Sequence, residues 1–160
     1  MQYGEADTTY KAAGCEAGIH QLVDHFYDIM QASYPVIFSW HPSDNNKSRD
    51  KLARFLSGWM GGPRRYKEKY GPINLPHAHA HLVVTLKERD QWLDCMAKAI
   101  DRMAYPASLK SYLIEQLTVP AERIRQVSTA RAERDQPTQR LTEKSRRLWS
   151  KHRSKEDQEQ

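Results

Sequence analysis

Three of the seven histidines in this 160-residue chain fall within five positions, in His77-Ala78-His79-Ala80-His81. Neutral imidazole readily ligates transition metals, so the tract is a candidate metal site. Thirteen residues beyond the middle histidine stands Trp92, in Glu88-Arg89-Asp90-Gln91-Trp92-Leu93. From these residues alone three chemistries are open. Alternating His and Ala can be polar punctuation in a solvated loop. The tract can hold zinc or nickel, although tetrahedral zinc wants about four ligands and no second His or Cys pair stands at a suitable spacing. Or one histidine can be the axial ligand of a haem, which needs a single nitrogen on one face and large apolar and hydrogen-bonding residues on the other.

The elements that must position such a site read as helices. Asp7-Thr8-Thr9 is a cap for a short helix ending at Gly14. Ile19, Leu22, Val23, Phe26, Tyr27 and Met30 then line one stripe of a second helix, broken at Tyr34-Pro35. Val36 to Pro42 reads as an apolar turn, and Ser43 to Asn46 as a capping cluster before a helix whose stripe is Leu52, Phe55, Leu56, Trp59 and Met60. Gly61-Gly62-Pro63 forces a turn there. Arg64 to Leu75 shows no period and is expected to be a long loop bringing the histidines round to face the earlier helices. Thr85 and Glu88 have capping-box spacing for a helix with Trp92, Met96 and Met103 on its apolar side. A last core helix carries Leu109, Tyr112, Leu113 and Leu117 and is expected to end near Pro120. No segment alternates at period two, so the expected class is all-α.

Composition fits one domain with a tail. Mean hydropathy is −0.84 and the pI about 9.2. Residues 121 to 160 hold eleven Lys/Arg against seven Asp/Glu, four of the five net positive charges. The basic balance therefore belongs to the extension, and a nucleic-acid face on the main domain is not expected. The division is a domain over 1–120 and a basic helical or disordered extension over 121–160, where Leu141, Leu148 and Trp149 are the few apolar anchors after Pro137. Cys15 and Cys95 imply neither a disulfide framework nor a thiolate cage, and a reducing cytoplasm fits. Met1 to Tyr10 lacks an apolar run, and no stretch is apolar enough for a membrane span, so neither signal peptide nor anchor is expected.

Phe26-Tyr27, His41-Pro42, Phe55-Leu56, Gly61-Gly62-Pro63, His79 and Glu88 to Leu93, in this order and spacing, resemble the truncated haemoglobins of group II over most of residues 8 to 117. The resemblance implies a two-over-two helical sandwich around one haem b, its iron held by a proximal histidine. The group II pattern sets the helix tryptophan thirteen positions beyond the ligand, which selects His79 over His77 and His81. On the other face the pattern implies Tyr27, His41 and Trp92 around the bound ligand, with Ser48, Leu52 and Phe55 lining the pocket; on their stripes alone, Tyr27 and Trp92 would read as ordinary core. Ala78 stands where the family usually has the arginine that meets a haem propionate, leaving Lys51, Tyr66 and His77 as candidate substitutes. His81 stands where the family usually has proline.

The function so implied is dioxygen binding. A Tyr hydroxyl or Trp indole in a dry pocket can donate to the negative charge on bound oxygen, and each such bond contributes roughly 1.5 to 3 kcal/mol, about ten- to a hundredfold in retention. Several donors suit holding oxygen over delivering it, and extend naturally to redox chemistry with peroxide or nitric oxide, as a peroxidase or a nitric oxide dioxygenase served by a reductase. Two other classes compete. One is a non-haem metal site on His77, His79 and His81; the other is an interaction module using the basic Thr142 to Lys155 stretch against nucleic acid, anionic lipid or an acidic partner.

Overall fold

The computed structural model describes residues 2–135, which form eight helices and no strand. They are α1 (Thr8–Ala12), α2 (Cys15–Ser33), α3 (Pro35–Phe38), α4 (Asn46–Trp59), α5 (Arg65–Tyr70), α6 (Leu75–Ala78), α7 (Leu86–Asp101) and α8 (Ala107–Asp135). The expectations for Pro137 to Gln160, the basic stretch included, lie outside these residues.

Helix α2 is the centre of the packing because its stripe is continuous. Ile19, Leu22, Val23, Phe26, Tyr27 and Met30 are all buried, at 4% exposure or less. This face packs on α4 and on α7, and α7 in turn packs on α8. Two helix pairs, α2 with α4 and α7 with α8, thus meet across α2 and α7 in a two-over-two arrangement. Leu56 of α4, Cys95, Met96 and Ile100 of α7, and Leu109, Leu113 and Leu117 of α8 complete one core. At about 25 cal/mol per Å² of apolar surface, a buried side chain of this size contributes roughly 1.5 to 3 kcal/mol, so the stripe outweighs the weak helix propensity of its β-branched and aromatic members.

The helix boundaries follow local chemistry, though not always the chemistry expected. Pro35 occupies the first turn of α3, where its missing N–H costs nothing. The Thr85 and Glu88 capping box forms as expected at the start of α7. Asp7 does not cap α1 through its side chain; Thr8 Oγ1 instead donates to the Glu5 carbonyl at 2.7 Å, and Thr9 Oγ1 accepts from the Gly4 N–H at 2.9 Å. Asn45 likewise flanks α4 without capping it, because its side chain is taken by Arg49. Gly61 turns the chain at φ +86°, and a Cβ there would sit 1.8 Å from the Ala6 carbonyl oxygen. The glycine pair is therefore needed for close approach as well as for the turn.

Two expectations are corrected. The segment from Arg64 to Leu75 is not a structureless loop, since it holds α5 and the start of α6. Helix α5 has no buried residue and hence no apolar period to read; it is tied down by Tyr70, which donates to Asp50 at 2.8 Å, and by the Arg65 to Glu16 ion pair at 2.6 Å. Nor does the last core helix end near Pro120: α8 continues through it to Asp135. An internal proline costs about 3 kcal/mol. What offsets it lies beyond, where Glu122 receives Arg89 of α7 and Arg125, and Ser128 is buried.

Candidate functional site

The histidine tract is built on α6, a single turn whose N-cap Asn74 accepts from the His77 N–H at 3.1 Å and whose first turn contains Pro76. His79 follows as its C-cap. The His79 ring donates from Nδ1 to the Leu75 carbonyl at 2.7 Å. A carbonyl can only accept, so this bond fixes the proton on Nδ1 and leaves Nε2 with its lone pair free. Burial lowers the His79 pKa below the ordinary histidine value, as does the charge of neighbouring His81. Both effects favour the neutral imidazole that can ligate a metal.

His77 and His81 are exposed, whereas His79 is half-buried. Residues two apart around a helical turn do not face each other, so alternate histidines diverge. Among the described residues no three of His, Cys, Asp and Glu converge as a metal cage. This corrects the zinc or nickel reading.

The polar-tipped aromatics of the expected distal face do assemble. Tyr27 and Trp92 each meet Phe26, with ring centroids 5.4 and 5.3 Å apart, and Tyr27 sets its ring edge against His41 at 5.2 Å. His41 donates from Nδ1 to the Ile37 carbonyl at 3.1 Å, and burial lowers its pKa. Neutral His41 thereby presents an acceptor at Nε2 and becomes a donor there only when protonated.

Ser48, Leu52 and Phe55 recur along one face of α4, all half-buried, with the latter two packed on the core. The Lys51 ammonium lies 5.3 Å over the Tyr70 ring, which is 5.1 Å from Tyr66. Those two proposed substitutes for the missing arginine therefore gather around Tyr70, and His77 shares neither contact. One residue absent from the sequence reading is Arg49. Its guanidinium lies 5.3 Å over the Tyr27 ring and is pinned by Asn45 at 2.9 Å, Asp24 at 2.9 Å and Asp28 at 3.0 Å. The signal for it was the pair Asp24 and Asp28, four apart on the polar side of α2, which invites a cation from a neighbouring helix.

These residues fit a haem. The donor set supplies one imidazole nitrogen with its lone pair free, and the walls supply large apolar side chains that the protein leaves incompletely covered. Leu52, Phe55 and Trp92 are only half-buried, and between His79 and Trp92 both Val83 (63%) and Leu86 (53%) stand exposed. An apolar disc would cover such surface. A cavity of about 220 Å³ between the N-terminal segment, the end of α4 and α8 is separate, lined by Thr9, Trp59, Tyr112 and others that include none of these groups.

Comparison with known proteins places this geometry. Residues 8–126 match the family model described as bacterial-like globin. A group 2 truncated hemoglobin, YjbI of Bacillus subtilis, is 34% identical over 112 residues, covering 70% of this chain and 83% of that protein. Among solved structures, the truncated oxygen-avid haemoglobin of Bacillus subtilis is 33% identical with a TM-score of 0.68, covering 72% of this chain and 97% of that one. The group II 2-on-2 hemoglobin of Agrobacterium tumefaciens is 30% identical with a TM-score of 0.70, covering 77% and 97%. The cold-adapted truncated hemoglobin of Pseudoalteromonas haloplanktis is 32% identical, also at 0.70, covering 73% and 96%. With its two-over-two helices and these matches, the chain belongs to the bacterial-like globins, as a group II truncated haemoglobin with haem as its cofactor.

Proposed function

We propose that this globin retains dioxygen, with His79 as the iron ligand and Tyr27, Trp92 and His41 surrounding the ligand on the opposite face. The observation that carries the reading is the Nδ1 bond of His79 to the Leu75 carbonyl, which leaves Nε2 free and the ring oriented. Haem supplies the iron that binds a diatomic ligand and exchanges electrons with it. The chain supplies everything else. Leu75 holds His79 in one tautomer and strengthens its basicity. The Tyr27 hydroxyl makes no hydrogen bond within the described residues and stays protonated, because burial raises its pKa well above the ordinary value. Its proton is thus available for a ligand. The same holds for the Trp92 indole N–H, a donor at every pH. Donors aligned in a dry pocket stabilise charge as it develops on a ligand, which supports redox turnover of nitric oxide or peroxide when a reductase returns electrons.

The test is the absorption spectrum of the purified protein in ferric, ferrous and oxygenated forms, beside His77→Ala, His79→Ala and His81→Ala. A Soret band lost or transformed only in His79→Ala supports the assignment; the same change in His77→Ala or His81→Ala instead would move it. Rapid nitrate production when nitric oxide meets the oxygenated form, sustained with a reductase, separates a dioxygenase from a protein that only binds.

A further inference from the structure

The segment carrying His79 is gripped from beyond the family-matched region. That region ends at residue 126, while α8 runs on to Asp135. Two residues of this continuation reach the 76–84 segment. The hydroxyl of Ser128, a residue 7% exposed, works in both directions: it donates to the Leu82 carbonyl at 3.0 Å and accepts from the Val84 N–H at 2.8 Å. Arg131 donates from a guanidinium nitrogen to the Pro76 carbonyl at 2.9 Å. Each grip is one step from His79. The Leu82 N–H donates to the His79 carbonyl at 3.0 Å, and the Leu75 carbonyl that orients the imidazole belongs to the residue before Pro76. The backbone is therefore held three residues before His79 and three after it, across a stretch where Ala78, Ala80 and His81 offer no stiffening proline.

We propose that the end of α8, through Ser128 and Arg131, is a strap that positions His79 against the haem iron. Both are positioning residues; neither touches the iron. A backbone carbonyl that loses its donor, or an amide that loses its acceptor, lets the turn fray, and the imidazole then samples orientations that pull on the iron unevenly. Charge on Arg131 strengthens its bond to Pro76 relative to a neutral donor. The proposal rests on His79 being the ligand.

The test uses the full-length holoprotein with Ser128→Ala, Arg131→Gln, the double variant, Arg131→Lys and, as control, Glu122→Gln, which loosens the contact between α7 and α8 without touching the loop. Two readouts are taken: haem transfer to excess apomyoglobin, and the iron–histidine stretching band of the ferrous form. The double variant is expected to lose haem about tenfold faster, the scale of other residues that orient metal ligands, with a broadened and shifted band. Arg131→Lys restores most of the loss, and Glu122→Gln changes neither readout. Where the double variant does not fold, Ser128→Ala, which deletes one oxygen, gives the same directions at smaller size. An unchanged rate and band in the variants overturns the strap, as does a Glu122→Gln variant that reproduces the double. A wild-type band that survives His79→Ala overturns the ligand assignment, and the strap with it.

Discussion

At Tyr27 three effects meet in one side chain. The ring is core, the hydroxyl makes no hydrogen bond among the described residues, and Arg49 lies over the π face. Burial drives the phenol pKa up, and the Arg49 charge opposes that. A cation over the ring withdraws electron density from the phenol, so it makes the hydroxyl a better donor while holding the ring in place. Tyr27→Phe removes only the donor, and oxygen dissociation measured by stopped flow should rise about ten- to a hundredfold. Arg49→Met keeps the aliphatic stem and removes the charge. Its ion-pair partners Asp24 and Asp28 are 62% and 59% exposed, so stability should fall by less than about 1 kcal/mol in urea unfolding, while oxygen dissociation still quickens. A full loss of stability with unchanged oxygen kinetics would make Arg49 a fastener only. His41 gives the pH dependence its sign. Its pKa is lowered, chiefly by burial, so Nε2 is a bare acceptor at neutral pH and gains a proton to donate only below the ordinary value of about 6.5. Oxygen dissociation should therefore slow as pH falls through that range in the wild type and stay flatter in His41→Phe.

Helices whose one face is apolar could be read directly from the chain, and those held by polar contacts could not. The α2 stripe from Ile19 to Met30 is one continuous signal, and the structure buries every member of it. Thr85 and Glu88 are legible because a capping box is local chemistry with fixed spacing. Helix α5 is illegible for the opposite reason: Tyr70 and Arg65 bind partners 20 and 49 positions away, Asp50 and Glu16, and leave no period behind. In the candidate site, Tyr27, His41, Trp92 and His79 were expected through the family resemblance, while Arg49 and Ser128 depend on which helices become neighbours. Ser128 lies on the part of α8 past Pro120, where the core helix was expected to end. Gly61 shows how much one element junction can demand. Gly61→Ala would force an L residue into a left-handed backbone and push its Cβ onto the Ala6 carbonyl. The two costs together amount to about 2 to 4 kcal/mol, measurable as a lower urea midpoint with unchanged slope.

Taken whole, the molecule carries its last helix through the expected domain boundary. A boundary at residue 120 would cut α8 in its middle, since the helix spans Ala107–Asp135. Among the described residues after that cut, Glu122 lies between Arg89 and Arg125, Ser128 on Leu82 and Val84, and Arg131 on Pro76. Three separate attachments to α7 and to the proximal segment would be lost together. Each is a modest net gain of roughly 1 kcal/mol or somewhat more where charge is involved, and two of the three, those of Ser128 and Arg131, fall on the segment that carries His79. The free end at residue 120 would also fray, because a helix end has four carbonyls without intrahelical partners. A chain ending at Asp135 should keep haem and bind oxygen with the kinetics of the full-length protein. A chain ending at Pro120 should take up haem but release it to apomyoglobin faster, with the larger change in the rate of loss rather than in the oxygen dissociation rate, since Tyr27 on α2, His41 before α4 and Trp92 on α7 all precede the cut. Equal haem retention by both chains would return the boundary to residue 120, and haem loss from the chain ending at Asp135 would carry the functional unit into the basic extension.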